Sequence, residues 1–418
     1  MTQLEPNDAA GTVVAPAARA FWTYWTASAT STLGTGVTTV ALPLVAVLVL
    51  HAGPVQMGVL AAASYVAWLV LGLPAGALVA RSRVRGIQVV ADLTRAAAVA
   101  SVPVAWWLDA LTFGHVVAVA LVVSCANVLF DTANTTYFVS IVPRERIQER
   151  NSLMSATHGV GELAGPSLGG LLVQAVGAVA ALLVDVASYV VSAVLLRTLP
   201  EQEKASGPAS GSPMRTMIAE GWTYVSRHPI VGPCMWYATL INFVNGGQLA
   251  LFALYLVREL HAPAALVGLL LAAAAVGSIC GAGVVPWLSR RFGSARLAVA
   301  SSFVSVVGAA VIPLGGGAAG MVAFAVGSAT FSMGVVWFST VTRTYRFVST
   351  PPELLSRVMA TVRFVSWGAI PVGGLLAGVF ADAFGLRTGV VALAVVTLAA
   401  PFIVLAGPVR RLRDFPEA

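Results

Sequence analysis

Charged side chains are scarce in this sequence. Only 10% of the 418 residues are Asp, Glu, Lys or Arg, whereas 58% are hydrophobic, and the mean hydropathy is +0.87. Soluble globular domains carry about 25% charged residues. A protein of this composition cannot face water on all sides, so the sequence is not predicted to form soluble domains.

Cysteine and histidine are also few, and their placement excludes several chemistries. Cys125, Cys234 and Cys280 each lie inside an apolar run, without the spacing of a disulfide framework or a metal site. The five histidines are scattered, and the sequence contains no HExxH, GxSxG or GxxxxGK[ST] motif. We therefore predict a protein that is not an enzyme, hydrolyses no ATP and uses neither a cofactor nor a metal.

Long apolar runs dominate the sequence instead. A bilayer core requires about 20 consecutive apolar residues per helix, and lipid tolerates helices because their backbone polar groups are satisfied internally. Such runs cover residues 20–50, 56–80, 88–108, 115–138, 152–175, 179–197, 230–257, 263–288, 297–314, 319–342, 358–380 and 387–406. The predicted fold class is therefore an all-α integral membrane protein with twelve transmembrane helices.

A polar stretch divides these spans into two groups of six. We predict an N-terminal half over residues 1–198, a cytoplasmic linker over 199–228 and a C-terminal half over 229–418. Within the linker, residues 214–228 are predicted to form a helix along the cytoplasmic face. Its apolar side would carry Ile218, Trp222 and Val225.

Positive charge is distributed on one side of the predicted membrane. If the N-terminus is cytoplasmic, the cytoplasmic segments contain 20 of the 24 Lys and Arg residues, as the positive-inside rule requires. We predict a multi-pass protein of the inner (plasma) membrane with both termini cytoplasmic. The net charge of +7 is then a topology signal, so the expected partners are the lipid bilayer and a small-molecule substrate, with no nucleic acid, and the expected state is a monomer.

The two halves repeat one another. Residues 137–172 and 345–376 each contain an arginine-bearing loop, a helix and then a proline followed by Gly-Gly. Duplicated halves of this kind are typical of secondary transporters, whose substrate site lies near the midplane where the halves meet.

Three motifs carry a resemblance to a known family. They are LGLPAGALVARSRVRG (71–86) with ADLTRA (91–96), VGELAGPSLGGLL (160–172) and RVMATVRFVSWGAIPVGGLLAG (357–378). On these motifs the chain resembles the major facilitator superfamily, and within it the branch of drug, macrolide and siderophore (enterobactin) exporters. The resemblance implies efflux by proton-coupled antiport, as in multidrug resistance.

The resemblance also implies roles for particular residues. The second motif matches the fifth-helix antiporter signature, which implies a gating hinge between the halves; ordinary tight packing is the alternative. Its fixed positions are Gly161, Gly165, Pro166, Gly169 and Gly170. The first motif implies a cytoplasmic loop motif at Gly76, Arg81, Asp92 and Arg95, in which Arg81, Arg83 and Arg85 could brace the hairpin against Asp92 or serve for orientation alone. The sequence departs from the family at Ala80 and Thr35, where relatives carry acids.

Acidic residues inside the spans are candidates for proton coupling. A charge near the bilayer centre costs at least about 2.5–3.5 kcal/mol on insertion scales, so such an acid requires a partner, water or a proton. Asp131 and Glu162 are the proton-coupling candidates, and a structural hydrogen bond is the equal alternative for each. Asp185, on a helix expected at the periphery, is predicted to be structural.

Polar residues on other expected cavity helices are the predicted lining. They are Thr32, Thr35, Asn127, Asn134, Asn242, Asn245 and Trp337. An apolar wall with scattered hydrogen-bonding groups suits a bulky amphipathic organic molecule, although Ser, Thr and Asn also join helices to one another. The predicted function is export of such a molecule in exchange for protons. Uptake, facilitated diffusion and a non-transporting receptor are the alternatives.

Overall fold

The computed structural model describes residues 9–80, 82–201 and 214–416, and no β-strand occurs within these ranges. A π-helical turn, Val45–Val49, extends the first helix, and short 3-10 turns lie at Arg144–Arg146 and Pro408–Arg411. In chain order the α-helices are α1 (Ala9–Leu44), α2 (Pro54–Ala80), α3 (Val84–Trp107), α4 (Phe113–Ile141), α5 (Ile147–Val176), α6 (Ala178–Arg197), α7 (Met214–Arg227), α8 (Val231–Arg258), α9 (Ala264–Phe292), α10 (Ser294–Val311), α11 (Gly317–Ser349), α12 (Pro352–Phe384), α13 (Leu386–Thr397) and α14 (Ala399–Ala406).

The described helices match the twelve predicted spans. Eleven segments are long and apolar enough to cross a membrane, with α13 and α14 together forming the last one, Leu386–Ala406. The remaining span is α5, which is more polar because its first turns carry Glu149, Arg150 and Asn151. Its 30 residues extend over about 45 Å, and it packs between α1 and α9. The prediction of an all-α membrane protein with twelve transmembrane helices is confirmed.

Consecutive membrane-spanning segments run in opposite directions, so the loops between them lie at the two ends of the bundle. The basic end, which is the predicted cytoplasmic side, has the connections after α2, α4, α6, α9 and α11. The distal end has the connections after α1, α3, α5, α8, α10 and α12. We call α1–α6 the N-terminal half and α8–α14 the C-terminal half.

Three of these connections consist of a single glycine. Gly177, Gly293 and Gly385 join α5 to α6, α9 to α10 and α12 to α13, with φ angles of +87°, +97° and +94°. Side chains are strained at such positive φ values, whereas glycine adopts them freely. The glycines therefore allow two long helices to reverse direction without a loop.

The two halves are in close backbone contact near the distal end. Gly170 of α5 and Gly268 of α9 lie so close that a Cβ on Gly170 would be 2.8 Å from the Gly268 Cα. A Cβ on Gly58 of α2 would likewise meet the backbone of Gly374 on α12 at 2.6 Å. Arg258 adds a polar link, because its Nη2 donates to the Ala52 carbonyl at 2.9 Å. These contacts join the two halves at the distal end.

The linker helix α7 packs against α12 of the C-terminal half. A Cβ on Gly221 would be 2.7 Å from the Arg357 carbonyl oxygen, and Glu220 forms an ion pair with Arg357. The Tyr224 hydroxyl donates to the Ser349 carbonyl at 3.1 Å. The face through positions 220, 221 and 224 is therefore anchored to the bundle.

The predicted apolar side of α7 has mixed surroundings. Val225 is completely buried, whereas 43% of Trp222 is exposed. The side chain of Ile218 lies outside the described residues.

His228 caps the helix that follows the linker. Burial lowers the pKa of His228 below its ordinary value, which favours the neutral ring. The ring Nδ1 is then free to accept hydrogen bonds, and the amides of Ile230 and Val231 both donate to it at 3.2 Å. His228 thereby satisfies two amide groups at the start of α8.

The topology can be tested with two single cysteines in a variant whose three native cysteines are replaced by alanine. Asp109, exposed in the loop after α3, and Glu145, exposed between α4 and α5, lie at opposite ends of the bundle. If the basic end is cytoplasmic, an impermeant maleimide should label Asp109→Cys in intact cells. It should label Glu145→Cys only after permeabilisation. Labelling of Glu145→Cys alone in intact cells would reverse the orientation.

Candidate functional site

The acidic candidates lie on two neighbouring helices of the N-terminal half. Asp131 on α4 and Glu162 on α5 are both exposed, as is His158, one turn before Glu162. Arg95, His158 and Arg363 lie within electrostatic reach of Asp131, whereas Glu162 lies within electrostatic reach of Tyr65 on α2. The two acids therefore have different neighbours.

A cation from the opposite half lies within electrostatic reach of Asp131. Arg363 belongs to α12, and its guanidinium carbon lies 4.3 Å from the ring centre of Trp367 and 4.4 Å from that of Trp68. The two indoles meet edge to face with their centres 5.2 Å apart. Since Trp68 lies on α2, this cation–π cluster joins the two halves. Near mid-depth, the wall between the halves thus presents an acid, a cation and aromatic surface.

A buried polar network occupies the interior of the N-terminal half. Arg95 forms an ion pair with Asp92, one turn earlier on α3. Its Nη1 donates to the Asn127 Oδ1 at 3.0 Å. Its guanidinium carbon lies 4.2 Å from the ring centre of Phe130 and 4.6 Å from that of Tyr189. One cation therefore connects α3, α4 and α6.

The network extends to hydroxyl groups of α1. The Tyr24 hydroxyl donates to the Asn134 Oδ1 and accepts from Gln88 Nε2 at 3.2 Å. The hydroxyls of Thr35 and Tyr189 are 2.9 Å apart. Polar atoms of Thr35, Asn127 and Asn134, which were predicted to line a cavity, are thus bonded to other helices of the same half.

The other predicted lining residues have mixed surroundings. The Thr32 hydroxyl donates to the Ser28 carbonyl at 2.8 Å, and Trp337 donates from Nε1 to the Gly281 carbonyl at 3.1 Å. Asn242 and Asn245 are half-buried on α8. A role in substrate contact stays a prediction for all of them. No group of three His, Cys, Asp or Glu side chains suited to a metal occurs in the searched parts of the chain.

The glycine signature has two faces. A Cβ on Gly165 would lie 2.7 Å from the Gly36 Cα, and one on Gly169 would lie 3.0 Å from the Val37 Cα. Gly161 packs against Thr32. These three glycines thus bring α5 close to α1 within one half. Contact with the opposite half comes instead from Gly170 and from the carbonyl of Pro166, both of which meet Gly268.

The loop motif is arranged differently from the predicted brace. Asp92 and Arg95 lie inside α3 and pair with each other, and among the described loop arginines, Arg83 and Arg85, neither pairs with Asp92. Arg83 and Arg85 instead approach Glu201, with N–O distances of 3.3 and 3.6 Å. Gly76 is exposed with open space around it, and Arg81 lies outside the described residues.

Two residues of this region were missed or undervalued in the sequence. Arg363 lies inside the predicted span 358–380 and receives no role from the sequence analysis, although a cation within a span carries the same energetic cost as the acids. Asp185 was expected at the periphery, but its side chain is completely buried between α6 and α1. Scarcity of charge was the available signal in both cases.

The contact between the halves at Gly170 predicts a substitution that blocks transport. In Gly170→Leu the side chain would force α5 and α9 apart, because even a Cβ lies 2.8 Å from the Gly268 backbone. Efflux of a fluorescent dye from cells should be lost while the protein remains in the membrane. Gly159→Leu is the matched control on the same helix, since nothing lies within 4 Å of a Cβ there. Efflux at the parent rate by Gly170→Leu would show that transport does not require the close contact of α5 with α9.

Comparisons with known proteins fit this architecture. The chain is 26% identical over 420 residues to the multidrug efflux pump Tap of Mycolicibacterium fortuitum, covering 94% of this chain and 96% of that protein. It is 28% identical to the uncharacterized MFS-type transporter YfiS of Bacillus subtilis (strain 168), over 51% of each chain. It resembles the crystal structure of the nucleoside transporter NupG (D323A mutant) with a TM-score of 0.74 at 12% identity, covering 93% of this chain and 99% of that one.

The family follows from the extent of one match. The sequence pattern of the Major Facilitator Superfamily matches residues 24–369, which include the contact of Gly170 with Gly268, the cation–π cluster and the buried network. The protein is a membrane transporter and not an enzyme. The chain belongs to the Major Facilitator Superfamily.

Proposed function

We propose that the protein is a secondary active exporter of bulky amphipathic organic molecules, such as drugs, antibiotics or secondary metabolites, in exchange for protons. The observation that carries the proposal is the wall between the halves, where the exposed Asp131 is within electrostatic reach of Arg363, which stacks on Trp68 and Trp367. Aromatic surface binds apolar rings, and the two charges select polar groups at their edges. The name of the similar protein Tap, a multidrug efflux pump, supports the direction of transport.

Alternating access accounts for the rest of the proposal. The halves are in contact at the distal end through Gly170 and Gly268, so in this state a substrate would enter from the basic end. Rocking of the halves would break the distal contacts and bring the basic ends together. An acid in the cavity that exchanges its proton with water on each side would couple the cycle to the proton gradient, and the gradient would give the cycle its direction.

Direction and energy source are tested together in everted membrane vesicles. An exporter should accumulate ethidium inside such vesicles when respiration acidifies the lumen, and a protonophore should abolish the accumulation. Accumulation that survives the protonophore would indicate another energy source. Ethidium uptake into right-side-out vesicles instead would identify an importer.

Asp131 and Glu162 are the proposed cavity acids, and neutral variants test them. Asp131→Asn and Glu162→Gln keep the shape of the side chain but cannot bind and release a proton. At least one of them should lose ethidium-driven proton movement in proteoliposomes while still binding ethidium.

A distant acid provides the control. Asp109→Asn alters an exposed carboxylate in a distal loop, and it should pump like the parent. If both single variants and the double variant also pump against a gradient like the parent, the coupling proton is carried elsewhere.

A further inference from the structure

Two carboxylates share one cation inside the N-terminal half. The side chains of Asp92 and Asp185 are completely buried, and only 4% of Arg95 is exposed. Arg95 is paired with Asp92, yet its charge also acts on Asp185. The buried cluster therefore has one carboxylate more than it has cations.

Asp185 lacks a strong partner of its own. Its Oδ1 accepts from the Ser188 hydroxyl at 3.0 Å, but its Oδ2 has no hydrogen-bond partner within the described part of the chain. Thr38 of α1 lies beside it, although the geometry falls short of a hydrogen bond. A buried carboxylate without a cation is costly, and a bound proton removes that cost.

The groups around Asp185 can be named helix by helix. Arg95 and its partner Asp92 come from α3, and Tyr189 comes from α6 itself. From α1 the neighbours are the backbone of Gly34 and the hydroxyl of Thr38, which carry no charge. α5 also packs against α6, but its acid Glu162 lies within electrostatic reach of Tyr65 on α2 and is not among the groups that influence Asp185. Arg95 is thus the cation available to Asp185.

Arg95 also connects this cluster to the cavity. Its Nη1 donates to Asn127, one turn from Asp131 on α4, and its charge acts on Asp131. If Asp185 loses its proton, its negative charge offsets the positive charge of Arg95, so the net positive potential at Asp131 falls. The charge state of the buried cluster is thereby communicated to the exposed acid.

We propose that Asp185 is a proton-binding site of the transport cycle, linked to the cavity through Arg95. The Asp185 carboxylate takes up one proton from cavity water when the cavity is open to the distal side and becomes a neutral carboxyl group. It returns that proton to cavity water when the cavity is open to the basic side. The role in the cycle rests on the proposed proton-coupled transport, but proton binding itself does not.

Infrared spectroscopy tests proton binding without any substrate. Difference spectra of the purified full-length protein, taken between about pH 5 and pH 9, should contain a C=O stretching band of a protonated carboxyl group that fades as the pH rises. Asp185→Asn should lack this band, and Asp109→Asn should retain it. Asp185→Glu keeps a titratable carboxyl group, so it should restore the band at a shifted frequency and show that the loss in Asp185→Asn does not come from misfolding. An unchanged band in Asp185→Asn would overturn the proposal.

A second variant tests the count of charges. Asp92→Asn leaves one cation for one carboxylate, so the Asp185 band should fade at a lower pH than in the parent. A purely structural Asp185 would not respond in this way. An unchanged midpoint in Asp92→Asn would overturn the sharing of Arg95.

The transport arm uses ethidium as the probe in proteoliposomes. Asp185→Asn should bind ethidium and exchange it across the membrane, yet lose ethidium-driven proton movement. Full proton movement in this variant would overturn the role in the cycle. If the parent protein moves no ethidium at all, the proposed function fails, while the infrared result on Asp185 still decides whether the site binds a proton.

Discussion

Lipid provides no solvent for charge, and the arrangement of this transporter depends on that constraint. Most cations lie at the basic end, where water can reach them. The few charges at membrane depth must find partners within the protein. Arg95 pairs with Asp92, and Arg363 rests on two indole rings. Helix packing in the N-terminal half is therefore also a solution to an electrostatic problem.

Much of the architecture could be predicted from the sequence, because span length and hydropathy are properties of the chain alone. The placement of side chains depends on how each helix is rotated, and each residue turns the helix by about 100°. Asp92 illustrates this limit: its position after the arginine-bearing loop predicts a partner among the loop arginines, but its helix directs it to Arg95. Asp185 illustrates the same limit, since a helix at the periphery can still direct one face inward.

Glycine decides where backbones can touch in the bundle. Within the N-terminal half, Gly161, Gly165 and Gly169 hold α5 against α1, which favours a rigid unit. Between the halves, Gly170 meets Gly268 and Gly58 meets Gly374. Contacts of this kind contain few side chains that must repack, so they can separate and close again with little rearrangement. One face of α5 thus packs within its own half, and another face contacts the opposite half.

The anchoring of the linker has a mechanical consequence. Glu201 is held by Arg83 and Arg85 at the end of one half, and α7 is fixed to the other half by Glu220 and Gly221. Each anchor therefore moves with its own half. The contacts that must change when the halves rotate against one another are those between the transmembrane helices themselves.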